Sequence, residues 1–248
     1  MDILELLASA AEALTNSEIA NRLGRTVTEV FRMLVCREER GYISRTGPDE
    51  RYQLTLKLFE VVHQHHPLQR LVSQARPLVQ RVASETGQSC HLAMLNHAEV
   101  VLVAQSDALG NMGFSVRLGA NIDLLNTASG HVILAFQSEE VRVRALAARR
   151  IRSRKPIPTV LSRHLNQIRR RGYEELASYQ VHGVVNISYP VLNQHGEAIA
   201  AMTVPFLARI GDSLGPPQVK EALSLASRAL SLTIGCKRLE LSSGRVQP

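Results

Sequence analysis

The stretch NSEIANRLGRTVTEVFRMLV, residues 16–35, decides the fold of the N-terminal part of the chain. Two segments with apolar residues at helical spacing flank Gly24, which can adopt the positive φ that a tight turn between helices requires. Ala20 is small enough to let a second helix cross closely above the first. The pattern predicts a helix-turn-helix, and therefore double-stranded DNA as a partner. The predicted apolar stripes are Ile19, Ala20 and Leu23 on the first helix, and Val27, Val30, Phe31 and Leu34 on the second.

Both predicted helices carry start signals. Thr15 with Glu18, and Thr26 with Glu29, fit the capping box, in which a Thr hydroxyl and a later Glu satisfy helix-end amides reciprocally. Gly41 stands where the second helix is expected to end. A plain helical hairpin with a solvated charged face is the alternative. The paired capping boxes and the glycine turn favour DNA binding over that alternative.

The second helix is the predicted recognition helix. The face opposite its apolar stripe would lie against the major groove, and Arg32 is the best candidate for a guanine edge or a phosphate. Glu29 has a simpler interpretation as a cap residue. The DNA-binding candidates of this region are Arg25, Thr26, Thr28, Glu29 and Arg32.

A short hairpin is predicted directly after this helix. Residues 42–45 and 51–54 have strand-like composition, and the turn-rich residues 46–50 separate them. Arg45 and Arg51 would lie near its tip, within reach of a phosphate or the minor groove. The hairpin completes a winged helix-turn-helix, and a generic surface hairpin is the less favoured alternative.

Composition sets the broad class. The 248 residues suffice for one large or two ordinary domains, and no apolar run approaches the length of a membrane span. Asp2 and Glu5 make the start acidic, unlike a signal peptide. The three widely spaced cysteines suit a reducing cytoplasm and form no disulfide or metal framework. We therefore expect a cytoplasmic protein without a cofactor or a metal site.

The net charge of +7 does not come from the predicted DNA-binding domain. Residues 1–60 contain eight Lys or Arg and ten Asp or Glu, so this region is slightly acidic. The excess lies in residues 142–171, most simply interpreted as a solvated helical surface, with a second DNA contact or an anionic partner as alternatives. Its basic residues are Arg142, Arg144, Arg149, Arg150, Arg152, Arg154, Lys155, Arg163, Arg169, Arg170 and Arg171.

A linker helix is predicted over residues 62–86. Apolar residues recur at helical spacing, and Pro77 is expected to kink or restart the helix. We expect it to pack against a second copy of the chain. His63, His65 and His66 have no Cys or carboxylate at ligand spacing, so a hydrated linker is favoured over a metal site.

From Gly87 onward, strands and helices mix. The patterns predict an α+β domain with an antiparallel sheet, and the expected domains are residues 1–61, 62–86 and 87–248. The predicted strands are residues 89–95, 100–105, 114–118, 184–192 and 198–206, and the predicted helices are residues 126–136, 139–148, 159–171 and 218–234.

Three segments, together with the winged motif, resemble the isocitrate lyase regulator (IclR) family of bacterial transcription factors. They are NTASGHVILA at 126–135, RRGY at 170–173 and GVVNISYPV at 183–191. The resemblance implies a GAF-like effector-binding domain that responds to small carboxylates or aromatic acids. It also implies homodimers, or dimers of dimers, on palindromic operators. One departure argues against transferring a ligand: residues 176–180 read LASYQ where the family usually has acids.

The residues themselves predict an effector site in the second domain. The small residues at the start of the helix near 127 leave backbone amides open to an anion. Alternate residues of the strand from Val184 share one face, and polar side chains on that face suggest a pocket lining. The alternative is that Ser129 and Gly130 serve close helix packing and that Asn186 is a satisfied core polar group. The effector-binding candidates are Thr127, Ala128, Ser129, Gly130, Tyr179, Val184, Asn186, Ser188 and Thr203.

An enzyme is the rival hypothesis. Ser129 lacks the G-x-S-x-G elbow, and the chain has no HExxH, P-loop or dinucleotide fingerprint. His91, His131 and His182 would be possible bases, but the sequence places no nucleophile or carboxylate with them. A structural DNA-binding protein without a ligand is a third hypothesis. The sequence thus favours a one-component transcriptional regulator that is not an enzyme, with repression or activation left open.

Overall fold

A computed structural model describes residues 2–64, 66–108, 113–154, 156–210 and 214–236. The chain forms two compact units, Met1–Gln69 and Arg70–Pro248. The predicted domain boundaries at 61/62 and 86/87 remain a proposal, since the units divide at another position. His65, Lys155 and the side chain of His63, which entered the predictions above, lie outside the described residues.

The first unit is the predicted winged helix-turn-helix. Its helices are α1 (Asp2–Ser9), α2 (Asn16–Leu23), α3 (Val27–Glu39) and α4 (Lys57–His63), and its strands are β1 (Ile43–Thr46) and β2 (Arg51–Leu54). The two strands are antiparallel, with Ile43 opposite Leu54. The core of the unit consists of Ile3, Leu7, Leu14, Ile19, Ala20, Val30, Leu34, Ile43 and Tyr52.

The turn between α2 and α3 forms as predicted. Gly24 has φ 62°, and its N–H donates to the carbonyls of Ala20 and Asn21. Both capping boxes are present, at Thr15 for α2 and at Thr26 for α3. Local sequence therefore determines where both helices begin and where the chain turns between them.

The predicted apolar stripe of α3 is partly wrong. Val30 and Leu34 are fully buried, but Val27 and Phe31 are 48% and 46% exposed. Each residue advances a helix by about 100°, so Phe31 lies roughly 80° from the line midway between Val30 and Leu34. Val27 is the first residue of α3. Phe31 therefore lies at the edge of the stripe, and Val27 lies at the end of the helix.

The second unit contains an antiparallel sheet of six strands in the order β5-β4-β3-β8-β7-β6. The strands are β3 (Cys90–Asn96), β4 (Glu99–Ser106), β5 (Asn121–Asp123), β6 (Glu174–Ala177), β7 (Val184–Leu192) and β8 (Ala198–Leu207). The helices are α5 (His66–Thr86), whose residues 66–69 belong to the first unit, α6 (Ala128–Phe136), α7 (Glu139–Ser153), α8 (Leu161–Arg171) and α9 (Pro216–Thr233). The α+β prediction with an antiparallel sheet is confirmed.

Helices cover both faces of this sheet. Residues of α5 and α9, such as Val79 and Leu223, pack with Ile187 and Met202 on one face. Residues of α6 and α8 pack on the other face, in a cluster that includes Ala201. The polar residues predicted for the effector site lie on the α6 side, as described below. None of the described helices is long and apolar enough to cross a membrane.

Three details of the second unit differ from the predictions. Residues 114–118 are not a strand, because the edge of β4 pairs instead with β5 and with the turn before it, where Gly119 N–H donates to Leu102 O at 2.9 Å. The strand β6 was not predicted. Pro77 lies inside a continuous α5 on its exposed face, where water can satisfy the carbonyl that loses its N–H partner.

Candidate functional site

The exposed face of α3 presents a mixed polar and apolar surface. Thr28 and Arg32 are exposed, as predicted for groups that reach into a DNA groove. Within the described part of the chain, Arg32 makes no ion pair, so its guanidinium is available to a partner. Val27 and Phe31 join this surface, and apolar side chains on a recognition helix can contact thymine methyl groups.

Thr26 and Glu29 serve the start of α3. The carboxylate of Glu29 accepts from the Thr26 hydroxyl at 2.8 Å and from the Thr26 N–H at 3.0 Å. These hydrogen bonds, first that of the hydroxyl, lower the pKa of Glu29. Arg25 pairs with Asp2 at 3.4 Å, both side chains being well exposed. The cap interpretation of Glu29 therefore has direct structural support.

The arginines of the wing are engaged within their own unit. Arg45 pairs with Glu38 at 3.0 Å and with Glu50 at 3.1 Å. Arg51 pairs with Glu18 at 3.1 Å and also donates to a backbone carbonyl at 3.1 Å. To bind a phosphate, either guanidinium would have to exchange a carboxylate for it.

A row of polar side chains crosses four strands of the second unit. The strand register places His91 opposite Thr203, Thr203 opposite Ser188, and Ser188 opposite Glu174. Residues directly opposite each other in neighbouring strands point to the same face of a sheet. All four are buried, none being more than 4% exposed. We call these four residues the polar row. The sequence assigned Ser188 and Thr203 to the effector site, named His91 only as a possible base, and did not indicate Glu174.

Ser129 of α6 joins the polar row from above. Its hydroxyl lies 2.9 Å from that of Thr203, which in turn donates to the Ser188 hydroxyl at 2.8 Å. His91 lies at the other side of Thr203, and its Nε2 is buried without a hydrogen-bond partner among the described residues. Burial lowers the pKa of His91 to about 4, so the ring is neutral near pH 7.

The far end of the polar row is charged. Glu174 contacts Arg171, whose Nη2 lies 2.5 Å from its Oε1, and the imidazoles of His131 and His164. Burial raises the pKa of Glu174, but the His131 contact, the Glu175 N–H and the charges of His164 and Arg171 together outweigh it. The result is a pKa below the ordinary value, so this buried carboxylate is ionised at neutral pH.

The start of α6 is tightly packed. The Thr127 hydroxyl caps the helix by accepting from Gly130 N–H at 3.2 Å and donates to Asp123 O at 2.7 Å. A Cβ on Gly130 would lie 2.2 Å from the Leu124 carbonyl oxygen, far inside van der Waals contact. Ala128 is fully buried. The close-packing explanation of Gly130 is therefore supported directly.

Arg149 and Asp123 hold the loop before α6. Asp123 accepts from the N–H groups of Leu125 and Asn126 at 2.8 and 3.0 Å, and its Oδ2 lies 2.5 Å from Arg149 Nη2. Burial raises the pKa of Asp123, but these hydrogen bonds outweigh it, so the net pKa is lowered. Arg149 Nη1 is buried and has no hydrogen-bond partner among the described residues.

The expectation that the basic segment 142–171 is wholly solvated is wrong at Arg149, which is only 9% exposed. Arg149 lies four residues after the buried Ala145 on α7. Residues four apart share a helix face, so this position was available as a signal in the sequence.

The remaining effector candidates lie beside these groups. Tyr179 is 50% exposed, and burial together with the nearby Asp123 raises its pKa. On β7, Val184 is buried and Asn186 is half-buried, and both share the sheet face of Ser188. The structure thus joins Ser129, Ser188 and Thr203 by hydrogen bonds and places Tyr179 near the loop before α6.

A groove of about 210 Å³ lies elsewhere in the unit, between the end of α5 and the start of α9. Glu85, Thr86, Gln218 and Glu221 contribute to its walls, with Leu225. No residue of the polar row lines it. The polar row itself is closed to solvent, so a ligand would reach it only if covering segments moved.

A winged helix-turn-helix joined in one chain to an α+β unit defines the class of one-component DNA-binding transcriptional regulators. Residues 1–47 match the family model described as the IclR helix-turn-helix domain, and residues 63–232 match the bacterial transcriptional regulator IclR C-terminal domain. The chain therefore belongs to the IclR family of bacterial transcriptional regulators.

Relatives agree with this assignment. The chain is 28% identical to the HTH-type transcriptional regulator KdgR of Escherichia coli over 77% of its own length and 74% of that protein. The crystal structure of Thermotoga maritima IclR matches with a TM-score of 0.68 and 26% identity, covering 94% of this chain and 96% of that one. An IclR homologue from Microbacterium hydrocarbonoxydans, solved in complex with 4-hydroxybenzoate, matches in fold with a TM-score of 0.75 and 24% identity, with the same coverage.

Proposed function

We propose that the second unit binds a small organic or aromatic acid and that this binding changes the affinity of the winged unit for an operator. The observation that carries the proposal is the cluster of buried polar groups beneath and beside the start of α6. Burying polar groups costs free energy unless they find partners. His91 Nε2 and Arg149 Nη1 are buried without partners among the described residues, and a bound molecule would supply them.

Charge favours an acid as the ligand. The N-terminus of a helix attracts anions, and a guanidinium forms its strongest hydrogen bonds with carboxylates. Arg149 would bind the carboxylate, while the Ser129, Ser188 and Thr203 hydroxyls would bind polar groups further along the ligand. The 4-hydroxybenzoate complex of the Microbacterium homologue supports an aromatic acid as the first candidate. The full proposed contact set comprises Thr127, Ala128, Ser129, Gly130, Tyr179, Val184, Asn186, Ser188 and Thr203, with His91 and Arg149 added.

On the DNA side, we propose that a few placed groups of α3 contact the operator. Thr28 and Arg32 are available directly, and Arg25, Arg45 and Arg51 would contribute if they exchange their carboxylate partners. Thr26 and Glu29 would orient α3 through the cap. Because the winged unit has more acids than bases, affinity would come from these contacts and from pairing two copies of the chain.

We propose that the working form is a cytoplasmic homodimer, or a dimer of dimers, on a palindromic operator. Apolar side chains at α4 support association, since Leu56, Val61 and Val62 are 75%, 42% and 53% exposed. An effector would act only through its different affinities for two arrangements of the assembled copies.

Two measurements test the proposal. Fluorescence anisotropy would compare the upstream region of the gene with a random duplex of equal length at physiological salt. A thermal-shift screen of small acids, beginning with 4-hydroxybenzoate, would seek the ligand. At about a hundred times its dissociation constant, a ligand adds roughly 2.7 kcal/mol of stability.

The variant Arg149→Met separates the two activities. We expect it to lose the thermal shift caused by the acid and to retain binding to the upstream duplex. Arg144→Met, at an exposed position of the same helix, is the matched control and should keep both. Equal affinity of the unmodified protein for both duplexes would refute operator binding, and consumption of a bound acid would favour an enzyme instead.

A further inference from the structure

Three side chains that bind metals well meet at the charged end of the polar row. They are His131 of α6, His164 of α8 and Glu174 of β6, and their ligand atoms all lie within 4.8 Å of one another. The His164 Nε2 lies 2.5 Å from Glu174 Oε2, and His131 Nδ1 lies 3.4 Å from the same oxygen. The residues are distant in sequence, so ligand spacing along the chain did not indicate them.

The contact between His131 and Glu174 needs a positive charge between its two atoms, and a proton or a metal ion can supply it. His131 Nε2 lies 2.7 Å from the Leu125 carbonyl oxygen, which can only accept, so Nε2 carries a proton. In a neutral imidazole, Nδ1 then presents a lone pair. That lone pair faces the carboxylate oxygen Oε2 of Glu174, which is also an acceptor. A proton on Nδ1 or a metal ion between the two atoms removes this mismatch, and the convergence of three ligand atoms favours the metal ion.

We propose that His131 Nδ1, His164 Nε2 and Glu174 Oε2 bind a divalent ion of the zinc class, with a fourth coordination position open. Two imidazole nitrogens and one carboxylate oxygen suit zinc and the late first-row metals, whereas magnesium and calcium prefer oxygen ligands alone. This proposal replaces the sequence-based expectation of no metal site, and it does not depend on the proposed effector.

The surroundings match those of a metal site. Metal-binding histidines usually donate their second N–H to a carbonyl or carboxylate, as His131 does to Leu125. Arg171 Nη2 lies 2.5 Å from Glu174 Oε1. The guanidinium occupies that oxygen and leaves Oε2 as a single ligand. The imidazole rings of His131 and His164 meet edge to face, with centroids 4.9 Å apart.

The site is open to solvent on the side of His164, and binding of an ion would shift the two imidazole rings. The side chain of His164 is 35% exposed, so an ion and its fourth ligand can approach from solvent, while His131 and Glu174 are buried. Tetrahedral zinc with bonds near 2.05 Å separates its ligand atoms by about 3.3 Å. On binding, the His164 ring would therefore move away from Glu174 by about 1 Å, and the two imidazole nitrogens, which lie up to 4.8 Å apart, would approach each other by up to about 1.5 Å. The ion would join α6, α8 and β6.

Cobalt binding tests the site directly. Full-length protein is stripped with a chelator and titrated with Co²⁺, whose visible absorption reports a site with nitrogen ligands, and Zn²⁺ then displaces it. We expect about one ion per chain and binding weakened at least roughly tenfold in His164→Gln. His164 is partly exposed, so this variant should fold; circular dichroism checks that it does. His195→Gln, at an exposed turn, is the matched control and should bind like the unmodified protein.

A second control removes the competing histidines of the linker by changing His63, His65 and His66 to Gln together. The proposal expects this variant to keep the cobalt signal. It is overturned if binding does not saturate, if His164→Gln binds as tightly as the unmodified protein, or if the linker variant alone loses the signal. DNA binding and the response to acids do not enter these readouts, so the regulatory function stands or fails separately.

Discussion

The hydroxyl of Ser129 on α6 lies 2.9 Å from the hydroxyl of Thr203 on β8. This hydrogen bond ties the first turn of a helix to the middle of the sheet beneath it. The Thr203 hydroxyl in turn donates to the Ser188 hydroxyl, so three hydroxyls from three elements form one buried chain of hydrogen bonds. Since buried polar groups are costly when a partner is lost, the chain fixes the position of α6 as well as lining the proposed effector site.

Thr203→Val tests that chain because it keeps the shape of the side chain and removes the hydroxyl. Ser129 and Ser188 then lose a partner inside the protein, which should cost about 1–3 kcal/mol of unfolding free energy in urea denaturation. Thr233→Val on α9 is the control, since its residue is exposed and its hydroxyl donates to Ala229 O of its own helix. A loss no larger than that of the control would show that the buried chain contributes little to stability.

Gly130→Ala should destabilise the second unit through steric overlap. The new Cβ would lie 2.2 Å from Leu124 O and 2.7 Å from its carbonyl carbon, both backbone atoms that cannot rotate away. Overpacking of this kind costs about 1–3 kcal/mol, measurable by chemical denaturation.

Gly215→Ala provides the comparison for Gly130→Ala. A Cβ at Gly215 would lie no closer than 3.6 Å to its neighbours, which is ordinary contact. We expect its stability to change by less than about 0.5 kcal/mol. Equal effects of the two substitutions would mean that α6 can shift away from Leu124 at little cost.

His91 should make the protein less stable as the pH falls below about 6.5. Burial lowers the pKa of His91 from 6.5 to about 4. Between pH 6.5 and pH 4, His91 is therefore protonated in the unfolded chain but neutral in the folded one. The stability is therefore greatest above pH 6.5 and decreases toward pH 4. Each pH unit is worth about 1.4 kcal/mol, which makes the total roughly 3 kcal/mol.

The measurement for His91 is the unfolding free energy from pH 7.5 to 4.5, above the range in which the lowered pKa of Glu174 takes effect. His91→Leu should flatten the profile, whereas the exposed His195→Gln should leave it unchanged. A profile of the same slope in His91→Leu would show that other groups cause the pH dependence.

Local patterns predicted the parts of the fold that depend on neighbours in sequence. The two capping boxes and Gly24 placed the helix-turn-helix, and alternation along one strand placed Ser188 on the same face as Asn186. Residues 114–118 show the limit of this reasoning. Their alternating pattern is real, with Phe114 and Val116 more buried than their neighbours, but a strand needs an unpaired edge and β5 occupies it.

The site residues that the sequence did not indicate are brought together by pairing between distant segments. His91 joins Thr203 only through the register of β3 and β8, which no local pattern specifies. Glu174 joins Ser188 through β6 and β7, and β6 was itself not predicted. Arg149 looked like one of many solvated arginines because charge composition does not report which helix face is buried.

Arg32→Ala should weaken DNA binding without changing stability, while Arg45→Ala should also lower stability. Arg32 is exposed and makes no ion pair in the described part of the chain, so its loss costs the folded protein nothing. In the complex, loss of a base contact would cost about 1–3 kcal/mol of binding free energy and would relax specificity at one position. Loss of a phosphate contact would instead weaken binding to all sequences alike. Arg45 pairs with Glu38 and Glu50 beside the wing, and because such exposed pairs contribute little, the loss of stability should be small.

Anisotropy titrations over several salt concentrations, together with thermal denaturation, distinguish the two arginines. Arg81→Ala on α5 is the control for removing one exposed positive charge, because among the described residues Arg81 forms its ion pair with Glu85 on its own helix. If Arg32→Ala binds operator DNA as Arg81→Ala does, α3 does not use Arg32 for recognition. The exposed Phe31 would then become the first residue of α3 to substitute, since its ring is the largest apolar group on the same surface.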